Sequence, residues 1–171
     1  MQLKLLCSVA LAASVFAVDA DPLVATLNSI NNAYAAINQG IRVWTGDYTG
    51  AVALISQASK LATAIAQTPA PDPSTTPTDA TLQERQAALD AVAKTLDDYL
   101  EIAYAVKPKV ERVIPPIKAL VVAVVKALQD GFSALAKIYL AAVPDGKKAA
   151  SQAAFARIDN NLQTVIRLYS S

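Results

Sequence analysis

Few residues of this chain could do chemistry. The tightest carboxylate group is Asp97, Asp98 and Glu101, and on a helix Asp97 and Glu101, four apart, share a face. Paired carboxylates can serve glycoside hydrolysis, but this pair falls on the polar side of its segment beside Lys94, where a solvated face is the expectation. The chain has no histidine, which excludes Ser-His-Asp and Cys-His nucleophile systems and the usual zinc sites. Its one cysteine, Cys7, lies in a segment expected to be removed, and that leaves no thiol chemistry. Five glycines in all leave little room for a phosphate-binding loop. The chain is expected not to be an enzyme, and to need no metal or cofactor. What remains is a set of tyrosines. Tyr34, Tyr99 and Tyr139 fall on apolar stripes, where a buried hydroxyl wants a partner; a fatty-acid carboxylate, a backbone carbonyl or the solvent at a bundle end could each serve.

The elements that must position them begin after residue 20. Lys4 followed by the uncharged apolar run Leu5 to Phe16, with small residues at Val18 and Ala20 or Val15 and Ala17, is the pattern of a cleaved secretory signal peptide over residues 1–20. The run is shorter than the roughly 20 residues that span a bilayer, so no transmembrane segment is expected. The mature region, 21–171, reads as one domain without cysteine, held by its core alone. Its charge is uneven: nine acids and four bases from Asp21 to Glu101, four acids and ten bases from Ile102 to Ser171. The bases are spread rather than clustered, and nucleic acid is not an expected partner.

Spacing predicts five helices, an all-α antiparallel bundle. In the first, Leu23, Leu27, Ile30, Tyr34, Ile37, Ile41 and Trp44 alternate four and three apart. Asp21 is the expected N-cap, with Pro22 at the first helical position, and Gly46 closes the segment. The second runs from about Asp47 to Gln67, with Tyr48, Val52, Ile55, Ala58, Ala62 and Ile65 predicted inside and Ala51, Ala53, Ala64 and Ala66 allowing close helix approach. Residues 68–80, with four prolines, read as an exposed loop, and Ser74, Thr75, Thr76 and Thr78 are O-glycosylation candidates. Asp79 or Thr81 is expected to cap the third helix, with Glu84 completing a capping box. Its inward stripe is Leu82, Leu89, Val92, Leu96, Tyr99, Ala103 and Val106, and Lys107-Pro108 should interrupt it. The fourth, from Ile117 to Tyr139, is apolar almost all round and is predicted to be the central member. The fifth carries Phe155, Ile158, Leu162, Val165, Ile166 and Tyr169 after a turn at Pro144-Asp-Gly146. The end at Ser170-Ser171 carries no hydrophobic anchor signal.

The opening Leu27-Asn-Ser-Ile-Asn-Asn-Ala-Tyr34, the Gly46 to Gly50 break, Lys107-Pro108 before the apolar helix, and Phe132-Ser-Ala-Leu135 leading to Ala141-Ala-Val-Pro144 resemble the fungal hydrophobic surface-binding protein A family, the antigenic cell-wall mannoproteins. The resemblance spans the mature chain through soft patterns of small and apolar residues. It implies a five-helix bundle, secreted or wall-associated, that adsorbs to hydrophobic surfaces or encloses long-chain fatty acids. This chain lacks the Ser/Thr-rich stalk of the anchored members.

Mean hydropathy is +0.33, much of it from alanine. Alanine faces fill less volume than leucine faces, so helices either approach closely or leave a dry void, a natural acyl-chain site. Burying about 14 methylenes at roughly 0.8 kcal/mol each gives on the order of 11 kcal/mol gross, enough after ordering costs for micromolar binding. The expected partner is a fatty acid or other apolar small molecule, or else a hydrophobic surface, met by an extracellular monomer; a cell-wall or host-interaction protein without a small ligand is the remaining alternative. Lining candidates, chosen near each helix middle, are Tyr34, Ile37, Ile55, Leu96, Tyr99, Val121, Val125, Phe132, Tyr139 and Leu162.

Overall fold

The computed structural model describes residues 21–72, 74–113 and 116–170; the expected signal peptide lies outside them. Five long helices follow one another: α1 Pro22–Val43, α2 Tyr48–Ala66, α3 Asp79–Arg112, α4 Pro116–Ala141 and α5 Ala149–Ser170, with a 3-10 turn at Asp145–Lys147 before α5. No strand occurs among the described residues.

Asp21 caps α1 as expected. Its carboxylate accepts the Leu23 and Val24 amides at 3.0 and 3.1 Å, so two of the four orphan donors of the first turn are satisfied. The predicted stripe of α1 is buried from Leu23 through Ile37, and Trp44 closes the helix from its C-cap. The chain reverses at Gly46, whose φ of 96° is a conformation side-chain-bearing residues rarely adopt. At the start of α3 the cap is Thr78, neither Asp79 nor Thr81: the Thr78 hydroxyl oxygen accepts the Thr81 amide at 3.1 Å. The helix therefore begins at Asp79, three residues earlier than a Thr81–Glu84 capping box would have it.

Consecutive helices run antiparallel, but the lateral pairs α1–α3 and α3–α5 are parallel. Along α1 and α3 the ties Asp21–Arg85, Asn38–Thr95 and Trp44–Lys109 advance together, so the two helices are parallel. Gln86–Ser151, Asp97–Arg157 and Ala103–Tyr169 show the same for α3 and α5. The packing order α1, α3, α5, α4, α2 returns to α1 and forms a ring of five staves with no hub. This corrects the expectation that α4 is central. It packs against α2 and α5, and its outer face, with Leu120, Ala123 and Ala127, meets solvent. Ile117–Ala141 is long and apolar enough to cross a membrane by length and composition, yet its apolarity comes partly from outward alanines.

Two further expectations fail for physical reasons. On α2 the buried face is Ala51, Ala58, Leu61, Ala62 and Ile65, while Tyr48 and Val52 are exposed and Ile55 is half-buried. An alanine-rich helix has apolar residues on more than one face, and hydropathy alone does not choose between them. Ala53, Ala64 and Ala66 likewise point outward. Close approach is made instead where α2 meets Gly131 of α4, at which a Cβ would stand 3.1 Å from the Ala62 carbonyl oxygen.

On α3, Pro108 does not interrupt the helix, which continues to Arg112. Proline has no amide for the Tyr104 carbonyl. Tyr104 and Pro108 both lie on the exposed side, however, where water can reach that carbonyl, while Val106 and Val110 are buried and hold the backbone helical. Replacing Pro108 with alanine is expected to raise stability by about 2 kcal/mol, the interior-helix cost of proline less its gain from a stiffer unfolded chain. Urea denaturation checks this; an unchanged midpoint would mean that the helix loses nothing at Pro108.

Candidate ligand cavity

All five helices contribute to one cavity, placed in the half of the bundle where α1, α3 and α5 end and α2 and α4 begin. Its volume is about 80 Å³. From α1 come Tyr34, Ile37, Ile41 and Trp44; from α2, Ala51, Leu54, Ile55 and Ala58; from α3, Tyr99, Ala103, Val106 and Val110; from α4, Ile117, Val121, Val124 and Leu128; from α5, Tyr169. Trp44, Val110 and Ile117 are buried and close the outer end, whereas Ile41, Leu54, Ile55 and Val121 are only partly covered. The opening therefore flanks α2. The void exists because Ala51, Ala58 and Ala103 stand where larger side chains would fill it, an outcome close packing usually avoids.

No lining residue carries a charge, and the only side-chain polar groups are three phenols and one indole. The Trp44 indole donates to the Asp47 carbonyl at 2.9 Å. Tyr169 donates to the Ala103 carbonyl at 2.7 Å. Tyr34 is 1% exposed and its hydroxyl has no partner among the described residues. Its ring is held by Tyr99, edge-on with centroids 6.0 Å apart, and by Phe132, also at 6.0 Å. Burial pushes the Tyr34 hydroxyl well above the ordinary phenol range, with Tyr99 adding to it. Burial does the same for Tyr99, reinforced by Tyr169, and for Tyr169, reinforced by Glu111. All three stay neutral hydrogen-bond donors at physiological pH.

Of the predicted lining residues, the structure brings Tyr34, Ile37, Ile55, Tyr99 and Val121 together around the cavity. Leu96, Val125, Phe132 and Leu162 are buried in packed core outside it. Tyr139 lies in the other half, edge-on to Phe155 with centroids 5.5 Å apart, beside a separate, more polar depression with Gln86, Lys147 and Ser151. Helix midpoints were the wrong guide because the void sits toward one end. Ala51, Ala58 and Ala103 beside the aromatic Trp44 and Tyr169 were the available signal.

The half beyond Tyr34 is tied by polar contacts. Arg85, 5% exposed, places Nε 3.0 Å from Asp21 Oδ1 and Nη2 2.5 Å from Oδ2, and donates from Nη1 to the Ala142 carbonyl at 3.2 Å. One guanidinium thus joins the beginning of α1 to α3 and to the end of α4. Burial pushes the Asp21 carboxyl up, but Arg85 and the Val24 and Leu23 amides outweigh this and hold it below its ordinary value. Asp97 stays partly exposed, as expected, but it is paired. It accepts Arg157 Nε at 3.0 Å and Asn161 Nδ2 at 2.8 Å, an α3–α5 tie. Ser74, Thr75, Thr76 and Thr78 are exposed, but the Thr75 hydroxyl donates to the Asp72 carbonyl and Thr78 serves as a cap.

The fold is shared with solved helical proteins. The structure of AfMP4p in complex with palmitic acid superposes with a TM-score of 0.77 at 20% identity, covering 87% of this chain and 99% of that one. Ligand-binding domain 1 of the Penicillium marneffei MP1 protein, complexed with arachidonic acids, gives 0.59 at 17% identity, covering 88% and 98%. Domain 2 of that protein, complexed with multiple arachidonic acids, gives 0.64 at 13% identity, covering 91% and 99%. No protein-family model and no curated protein matches the sequence. The likeness is one of fold, to fungal helical ligand-binding proteins.

Proposed function

We propose that this protein binds long-chain fatty acids or related lipids in the cavity between its helices. The observation that carries the reading is a void lined by all five helices and bounded by apolar side chains apart from three phenols and an indole. The neighbours of the same fold, solved with palmitic and arachidonic acids, support it. At roughly 10–15 Å³ for each water-sized occupant, about 80 Å³ seats on the order of six chain atoms, and burying these is worth about 5 kcal/mol. A longer chain continues through the opening beside α2, along the apolar stripe from Ile55 to Val52 and Tyr48. Secretion as a monomer, loose association with a cell wall, and O-glycans on the 68–80 loop complete the proposal. They rest on the signal-peptide pattern, the family resemblance and the exposure of Ser74, Thr75, Thr76 and Thr78.

Trp44 is the only tryptophan and lines the cavity, so its emission reports entry. Palmitate is expected to shift or quench it saturably, and an organic extract of the secreted protein should contain lipid. An emission spectrum indifferent to palmitate, with a lipid-free extract, would sink the proposal.

A second reading, adsorption to hydrophobic surfaces, is favoured by one observation. The large hydrophobics left exposed among the described residues, Val43, Tyr48, Val52, Tyr104 and Leu120, all lie in the cavity half. Depletion by hydrophobic beads that persists after saturation with palmitate would separate adsorption from carriage.

A further inference from the structure

We infer that the end of the bundle that holds the cavity docks on an anionic lipid bilayer and, resting on the cavity reading, that acyl chains pass there between bilayer and cavity. Two independent properties meet at this end. The first is charge. The segments that form it, 40–52, 104–121 and 164–170, carry six basic side chains, Arg42, Lys107, Lys109, Arg112, Lys118 and Arg167, against two acidic ones, Asp47 and Glu111. The segments at the opposite end, 21–30, 60–87 and 134–155, are balanced, with five basic and five acidic side chains. Lys107 is offset by Glu111. Arg42 and Arg112, in contrast, are exposed and make no hydrogen bond or ion pair among the described residues. A guanidinium offers its donors in the fork that a phosphate accepts.

The second property is apolar exposure. Val43, Tyr48, Val52, Tyr104 and Leu120 each stand within about 12 Å of the end of their helix, at 1.5 Å per residue. Four of the five lie on α1, α2 and α4, the helices whose partly covered Ile41, Leu54, Ile55 and Val121 bound the opening. A bilayer with anionic headgroups satisfies both properties at once, phosphates for the cations and acyl chains for the apolar side chains. A wax or polymer would use the apolar side chains and leave the cations without a counterpart. The whole chain carries a net charge of only +1. Attraction to an anionic surface therefore acts through this end and turns the opening toward the lipid.

Flotation of the ligand-free protein with vesicles of phosphatidylcholine, pure or mixed with phosphatidylglycerol, tests the docking. Binding to the mixed vesicles is expected to be at least about tenfold tighter at low salt and to be lost at high salt. Each base beside an anionic leaflet is worth about fivefold in partitioning, so Arg42→Gln with Arg112→Gln should weaken binding about twentyfold. Tyr104→Ser with Leu120→Ser should weaken it about tenfold. These four side chains lie outside the cavity lining, so palmitate should still titrate Trp44 emission unchanged, which also shows that the variants fold. Transfer of anthroyloxy-palmitate from wild type to mixed vesicles should accelerate with vesicle concentration, and the arginine variant should lose that dependence. Equal binding to neutral and mixed vesicles, or binding that high salt leaves intact, would overturn the docking in favour of apolar adsorption alone. Retention on heparin beads, with vesicle binding indifferent to Tyr104→Ser and Leu120→Ser, would mark a general polyanion site and overturn the bilayer assignment. Transfer indifferent to vesicle concentration in a protein that docks would overturn the passage of acyl chains. Wild type that floats with mixed vesicles yet ignores palmitate would overturn the cavity reading and leave the docking supported.

Discussion

Replacing Arg85 with alanine is expected to cost about 3 kcal/mol, the low end of what breaking a buried ion pair costs. The loss has three parts. The Asp21 carboxylate keeps its two cap amides but loses its countercharge, the Ala142 carbonyl loses a donor, and the guanidinium stem leaves a gap among three helices. Urea unfolding measures the loss, and a change under 1 kcal/mol would show that the clasp adds little. The pH dependence has a definite sign. Asp21 is held below its ordinary value in the folded protein, so its contribution is fully present above the unfolded value of about 3.9. It is lost as pH falls through the folded value. The gap between wild type and Arg85→Ala should therefore be constant at neutral pH and narrow below about pH 4.

Filling the cavity should separate stability from binding. Ala58 lies on α2, 8% exposed, and lines the void. Leucine there adds three carbons to a space that seats about six chain atoms. Palmitate affinity is expected to fall at least tenfold, since about half of the roughly 5 kcal/mol of chain burial is forfeited. Cavity filling typically adds 0.5–2 kcal/mol, so the unfolding temperature should rise by about 2–4 °C. A variant both less stable and unchanged in palmitate binding would mean that Ala58 faces packed core.

How much of this was legible in the sequence depended on what each helix face is made of. α1 and α5 carry large aliphatic and aromatic residues on one side and polar ones on the other, so their buried stripes and the Asp21 cap followed from spacing. α2 is alanine-rich on several faces, and nothing local distinguishes a methyl group against a neighbour from one in water; Ala58, Ala62 and Ile65 were placed correctly inside, but Tyr48 and Val52 were not. Pro108 misled because the rule it breaks is local, whereas Val106 and Val110 impose the helix from the far side of the chain. Arg85 was invisible for the opposite reason. A single arginine on a polar stretch looks solvated until Asp21, 64 residues earlier, is brought against it. The cavity was anticipated in kind from alanine content. Its position was not, because its lining is made of the same residue types as the core, and only the differing reach of five helices decides where they fail to meet.

A ring of staves without a central member has an evolutionary consequence. Because no side chain on an axis helix must be kept, every inward position sets the internal room directly, and an exchange among alanine, valine and leucine retunes the shape of the guest while caps and clasp stay untouched. In such an architecture preference is written mostly in volume, which drifts gradually. Proteins of this fold can then keep one scaffold while differing in internal room.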